Sequence, residues 1–212
     1  MIKHGHFIVV EGLEGAGKST ALDVIKSILN PRVAELVSTR EPGGTRVGEV
    51  IRSLIKDITP DEPLDSRVEL LLFYAARVQL IERIIRPALA RGAWVLADRF
   101  ELSTLAYQGG GRKLPLTMIE HLSAFCIENL KPDLIIFLDV TPEQGLKRII
   151  ARGKIDRIEQ ESLDFFHDVR AFYHQHIKNL DNVFMIDANQ SREQVQQAVS
   201  HAVDTYLVAH GY

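Results

Sequence analysis

Two hydrophobic periods alternate along the chain. HFIVVEG (6–12) is an unbroken apolar run that stops at Glu11 and Gly12, and it reads as a strand covered on both faces. KSTALDVIKSILN (18–30) then places Ala21, Leu22, Ile25, Ile28 and Leu29 at helical spacing. RVAELVSTR (32–40) contains a second strand, and EPGGT (41–45) is a turn cluster. Helical stretches near 46–57 and 65–91 follow, split by TPDEPLD with its two prolines. AWVLADR (93–99), PDLIIFLDV (132–140) and NVFMIDA (182–188) read as three further strands. Helical patterns near 101–107, 115–129, 142–151, 159–180 and 191–209 fill the gaps. Continuous apolar strands separated by helices imply parallel crossovers with helices on both faces. The expected architecture is an α/β three-layer sandwich with about five parallel strands. Neither a repeat nor a linker divides the 212 residues, so one domain, 1–212, is expected.

Composition narrows the class. Apolar residues make up 46% and charged residues 25%, which is enough to build an ordinary core. A net charge of −3 argues against nucleic acid or an anionic membrane surface as partner. The single cysteine, Cys126, cannot close an internal disulfide and has no metal-ligand spacing. It lies in register with Ile119 and Leu122, as a small helix core residue would. The first apolar run is too short for a signal peptide, and no run approaches the about eighteen residues of a membrane span. A reducing cytoplasm is the expected compartment.

The stretch VVEGLEGAGKST (9–20) carries the strongest chemical signal. Residues Gly12, Leu13, Glu14, Gly15, Ala16, Gly17, Lys18 and Ser19 fit G-x-x-x-x-G-K-[ST] between a strand and a helix, which is the context the motif requires. Glycines let main-chain N–H groups converge on one point, and the helix beginning near Lys18 adds its unpaired N–H groups and positive dipole end. Lys18 then reaches the outer phosphates, and the Ser19 hydroxyl, followed by Thr20, is offered to Mg²⁺. The motif specifies nucleoside triphosphate binding and leaves the fate of the phosphate open. Asp98 ends the AWVLADR strand, where a carboxylate sits at the mouth of such a site and can hold Mg²⁺ directly or through water. Arg99 beside it is placed for a second phosphate. No N-K-x-D string for guanine occurs, and the chain is short for a motor or transporter ATPase, which turns attention to small kinases.

The strings EGLEGAGKST, TREPGGT, LLFYAAR, DRFELSTLAYQGGGR and RGKIDRIEQESLDFF, in this order from about residue 7 to 188, together resemble bacterial thymidylate kinases. The resemblance implies the nucleoside monophosphate kinase fold, an acceptor-binding region at about 40–112, a lid at about 147–160 and a homodimer. It implies transfer from ATP to dTMP. Phe73 and Arg77 are one helical turn apart, so a ring and a guanidinium share a face and are suited to stack on a base and donate to its carbonyl edge. By resemblance Phe73 stacks on thymine and Arg77 bonds O4. Arg40 and Arg99 hold the dTMP phosphate, with Pro42 in the turn beneath. Ser103 and Tyr107 are one turn apart, as are Thr104 and Gln108. Thr104 and Gln108 are placed near the pyrimidine edge, and Tyr107 near the sugar. Glu11 contacts either the sugar 3′-hydroxyl or the metal shell. The thymine methyl offers only a small apolar contact, so discrimination against dUMP is expected to be on the order of 1–3 kcal/mol.

Phosphoryl transfer needs alignment and positive charge more than covalent chemistry. The loop positions Leu13, Glu14, Gly15 and Ala16 carry no base, so a further cation must come from elsewhere. KRIIARGKIDR (147–157) supplies Lys147, Arg148, Arg152, Lys154 and Arg157 against the single acid Asp156. Such a charge run is ordinarily a solvated surface; next to a phosphate cradle it reads as a basic flap. Arg152 is expected on the transferred phosphoryl group, Arg148 nearer the ATP, with Arg157 a second candidate. The eight histidines form no metal pattern. Two competing readings are another small P-loop kinase with a different acceptor, and a nucleotide-dependent binding module without transfer.

Overall fold

The computed structural model describes residues 5–153 and 155–212, so Lys154 of the basic flap lies outside the described residues. The first strand, β1 (Phe7–Gly12), leads into α1 (Lys18–Leu29), then β2 (Leu36–Arg40), α2 (Arg46–Lys56) and α3 (Ser66–Leu80). A π-helical turn, Ile81–Ile85, joins α3 to α4 (Arg86–Ala90). Strand β3 (Trp94–Asp98) is followed by α5 (Glu101–Thr104) and a second π-helical segment, Leu105–Gly111. Helix α6 (Leu116–Ile127), β4 (Leu134–Asp139), α7 (Pro142–Arg152), a 3₁₀ turn at Ile158–Gln160, α8 (Leu163–Ile177), β5 (Val183–Asp187) and α9 (Arg192–Ala209) complete the order. The five strands form one parallel sheet in the order β2-β3-β1-β4-β5. The α/β sandwich expected from the pattern is thus observed, and the long helical stretch at 65–91 is three joined segments. No helix among the described residues is long and apolar enough to cross a membrane.

The unbroken apolar strands hide a period of two. On β1, Ile8 and Val10 enter one core with Leu96, Ile136 and Leu138, against α1, α8 and α9. Phe7 and Val9 enter the other with Val95 and Ala97, against α3 and α6. All four β1 residues are fully buried, and each contributes roughly 1.5–3 kcal/mol by leaving water. Both faces must be apolar because both are covered. Cys126 is partly buried against the second core, as its helix register implied, and burial pushes its thiol pKa up.

Side-chain caps set where several helices begin. Thr45 accepts from Gly48 N at 2.9 Å, and Asp65 accepts from Arg67 N at 2.8 Å. Ser191 and Gln194 form a reciprocal capping box at the start of α9. α1 differs: its N-cap is Gly17 in the left-handed conformation (φ 93°), and no side chain caps it. Its first N–H groups are left for something else.

Parallel register brings the carboxyl ends of β1, β3 and β4 level, pairing Val10 with Asp98 and Gly12 with Leu138. The loop after β1 is held from the far side by α7. A Cβ on Gly15 would lie 2.3 Å from Gly145 O, and one on Gly145 would lie 2.6 Å from Glu14 O. Both contacts are with backbone, which cannot swing away as a side chain tip can. We therefore expect Gly145→Ala to cost about 1–3 kcal/mol by overpacking. A lowered urea midpoint with an unchanged m-value is the measurement; an unaltered midpoint would contradict this packing.

Candidate active site

The loop between β1 and α1 closes into a nest because Gly12, Gly15 and Gly17 adopt φ values of 142°, 72° and 93°. Leu13 and Ala16 are buried behind it, while Glu14, Gly15, Gly17, Lys18, Ser19 and Thr20 line the cleft. Lys18 Nζ donates to Gly12 O at 3.1 Å and Leu13 O at 2.8 Å, across the loop. Burial, helped by repulsion from Arg99, lowers its pKa to about 8, although Asp98, Glu14 and Glu11 pull the other way. Arg148 of α7 donates to Gly15 O at 3.1 Å and Ala188 O at 3.0 Å, so it lies against the loop.

The cleft has a volume of about 460 Å³ and continues from this nest to α3 and α5. Pro42, Phe73, Arg77, Ser103, Thr104, Tyr107 and Gln108 line its far part, with Asp98 and Arg99 between the two ends. Phe73 is half-buried, with Ile51, Ile55 and Ala76 beneath it. Arg77 is 1% exposed and bound on several sides. It donates to Glu41 Oε2 at 2.8 Å, Glu101 Oε2 at 2.7 Å, Thr104 Oγ1 at 2.8 Å and Phe100 O at 3.2 Å. Burial alone would lower the Arg77 pKa, but Glu41 and Glu101 outweigh it, and the pKa is raised. Burial pushes the Glu41 carboxyl up to about 7 in spite of Arg77.

Arg99 is partly buried, its side chain 14% exposed, with a left-handed backbone (φ 71°). Its guanidinium donates to Glu14 Oε1 at 2.7 Å, Ser103 Oγ at 3.0 Å and Tyr107 Oη at 3.3 Å. Tyr107 in turn donates to Glu14 Oε2. The loop carboxylate is thereby tied to the helix after β3. Asp98 Oδ1 is buried and has no hydrogen-bond partner among the described residues. Asp98 and Ser19 of α1 line the same cleft. No group of three or more His, Cys, Asp or Glu with metal spacing exists among the described residues.

Three expectations meet a different geometry. Glu11 does not line the cleft. Its carboxylate is fully buried and accepts from Phe100 N (2.9 Å), Ser103 N (3.3 Å), Ser103 Oγ (2.5 Å) and Tyr173 Oη (2.9 Å). It serves here as the anchor of the β3–α5 turn. Arg40 turns away to an adjoining depression, where Glu49 of α2 accepts from it at 2.9 Å. Glu49 is itself held by Gly44 N at 2.9 Å, so an opposite charge is fixed on that side. Arg157 points away from the cleft toward Glu69 and donates to Ile55 O at 2.7 Å. Arg152 does line the cleft and pairs with Glu159 at 2.6 Å.

Sequence reasoning passed over Arg52 and Lys56 of α2, and the side chain of Glu41, all of which line the cleft. Arg52 donates to Pro42 O at 2.8 Å. The polar face of α2 also carries Arg46 and Glu49, and only packing against α3 decides which cations face inward. A strand–nest–helix with an invading lysine, on a five-stranded parallel sheet, defines a P-loop protein of the small-kinase type. A family model described as Thymidylate kinase matches residues 10–199. Two curated relatives, the thymidylate kinases of Legionella pneumophila strains Paris and Corby, are each 53% identical over 203 residues, covering 96% of this chain and 96% of the relative. The chain belongs to the thymidylate kinase family.

Burial raises the Glu11 pKa above its ordinary 4.5, although Arg99 and donors from Ser103, Phe100 and Tyr173 oppose the shift. A folded-state pKa above the unfolded value stabilises fully below the unfolded pKa and loses that stabilisation as pH rises through the folded one. Glu11→Gln keeps two acceptor bonds without the charge. Between pH 5 and pH 8 the wild type should therefore lose more thermal stability than Glu11→Gln does. Parallel Tm profiles for the two proteins would rule this out.

Proposed function

We propose that this chain transfers the terminal phosphoryl group of ATP to the phosphate of dTMP, giving dTDP and ADP. The observation that carries the reading is the single cleft that holds a phosphate nest at one end and the Phe73–Arg77 face at the other. Two nucleotides bound there meet phosphate to phosphate. The nest and the open N-terminus of α1 bind the triphosphate, Lys18 adds a point charge, and Arg148 lies at the donor end. Ser19 and Asp98 would hold a Mg²⁺ ion, and the unpartnered Oδ1 of Asp98 suits a cation that takes one or two carboxylates and shares phosphate oxygens. When bound, the ion neutralises charge on the donor phosphates.

On the acceptor side, Phe73 offers an apolar platform and Arg77 a guanidinium oriented by Glu41 and Glu101. Thr104, Gln108 and Tyr107 bound the base and sugar, and Arg52, Arg99 and Pro42 face the acceptor phosphate region. Arg152 is the lid cation nearest in role to the moving phosphoryl group. No general base is required, because the acceptor phosphate is already anionic near neutral pH. The whole chain acts as one kinase domain, with the acceptor region at about 40–112 and the lid at about 147–160.

We further read the protein as a homodimer. Helices α2, α3 and α6, which pack side by side, expose Val50, Leu54, Leu71, Met118 and Phe125, the last at 82%. A reducing cytoplasm fits the single unpaired cysteine.

A coupled ADP-release assay with dTMP, dUMP, dCMP and dGMP tests the acceptor, and no turnover with dTMP alongside turnover of another nucleotide would overturn it. Removing Arg77 outright would strand the buried Glu41 and the partly buried Glu101 carboxylates, so Arg77→Lys is the cleaner variant. It keeps the charge and loses the planar fork. We expect KM for dTMP to rise about tenfold with KM for ATP little changed; equal effects on both would displace Arg77 from the acceptor. Arg152→Ala should lower kcat by at least about tenfold with small effects on either KM, and an unaffected kcat would exclude it from the transfer step.

A further inference from the structure

Glu69 is 1% exposed, yet it is charged and lies outside the cleft. It stands four residues before Phe73 and eight before Arg77 on α3, so the three share one helix face. Four donors converge on its carboxylate. Gln108 Nε2 donates to Oε1 at 2.7 Å, and Arg112 reaches both oxygens at 3.1 Å. Arg157, in the lid segment, donates to Oε2. Arg112 is balanced on its other side by Glu161 at 2.5 Å.

The partnership with Gln108 has a directional consequence. A carboxylate only accepts hydrogen bonds, so it selects the NH₂ end of the neighbouring amide. The carbonyl end must then face elsewhere. Gln108 lines the cleft, and its Oε1 is buried without a partner among the described residues. An unsatisfied buried acceptor costs about 1–3 kcal/mol unless a ligand meets it.

We propose that Glu69 is a positioning residue for acceptor specificity: it locks the Gln108 amide so that its carbonyl faces the bound base and selects a ring with an N–H donor. This rests on the reading of the cleft as a dTMP site. Thymine and uracil carry a hydrogen on N3, whereas neutral cytosine has an unprotonated N3 acceptor there. The N3–H of the first two can donate to the Gln108 carbonyl oxygen, while the cytosine nitrogen would oppose the carbonyl lone pairs. Arg112 and Arg157 hold the Glu69 carboxylate ionised and immobile, so the lid segment and the base-reading residue share one anchor.

The test compares wild type, Glu69→Gln, Gln108→Met and the double variant. Steady-state kinetics give KM for ATP and kcat/KM for dTMP and dUMP, and dCMP is read as a competitor of dTMP, so that turnover of dCMP is not needed. Glu69→Gln replaces a fixed acceptor by an amide that offers either end, which frees Gln108 to flip. We expect the preference for dTMP over dCMP to fall about tenfold, the dTMP-to-dUMP ratio to hold within twofold, and KM for ATP to stay within twofold. In the Gln108→Met background the same substitution should no longer alter the dTMP-to-dCMP preference. These ratios do not depend on the fraction of folded enzyme, so a loss of stability cannot imitate the result. An unchanged dTMP-to-dCMP preference in active Glu69→Gln, or an undiminished effect in the double variant, overturns the proposal. A wild type that phosphorylates no dTMP overturns the reading of the site instead.

Discussion

Charge buried at the carboxyl edge of the sheet must be paired, and that constraint organises the cleft. A solitary ionised side chain in such a place is prohibitively unfavourable. The structure answers with alternating signs. Arg77 lies between Glu41 and Glu101, Arg99 meets Glu14, and Glu69 meets Arg112 and Arg157. Each guanidinium is oriented before any substrate arrives, so little rearrangement is left for the moment of reaction. Asp98 Oδ1 breaks the pattern as a buried carboxylate oxygen without a partner among the described residues, on a residue that lines the same cleft as the phosphate nest.

Topology makes these pairs possible. β1 lies at the centre of the sheet with β3 and β4 beside it, so the loop after β1 is flanked by the ends of both neighbours. Asp98 and Arg99 come from β3, and Arg148 comes from the helix after β4. Residues about 85 to 135 positions apart thus contact one loop: Arg99 reaches Glu14, and Arg148 reaches Gly15. The close approach of Gly15 and Gly145 sets how near α7 can come.

Much of this was readable in the chain. Five strands and the phosphate loop follow from local pattern, because apolar runs, glycine freedom and helical spacing act over a few residues. Phe73 and Arg77 were visible as a pair because one turn of helix separates them. Arg40 and Glu11 were less well read. Each lies at or near the end of a strand, Glu11 in β1 and Arg40 in β2, but a side chain leaves its backbone in a direction set by its partners. Glu49 draws Arg40 outward, and the Ser103–Tyr173 pair draws the Glu11 carboxylate inward. Glu69 left no signal at all, since its donors come from two segments distant in the chain, Gln108 with Arg112 and the lid's Arg157.

The sequence by itself determined the class of fold, the nest for phosphate and the helix face that carries Phe73 and Arg77 together. Each of these is local: hydrophobic period, allowed backbone angles and the 3.6-residue turn decide it within a dozen residues. Only the tertiary structure decided which charges are buried together. That choice depends on pairing energies between groups distant in the chain, felt at full strength only where water has been excluded.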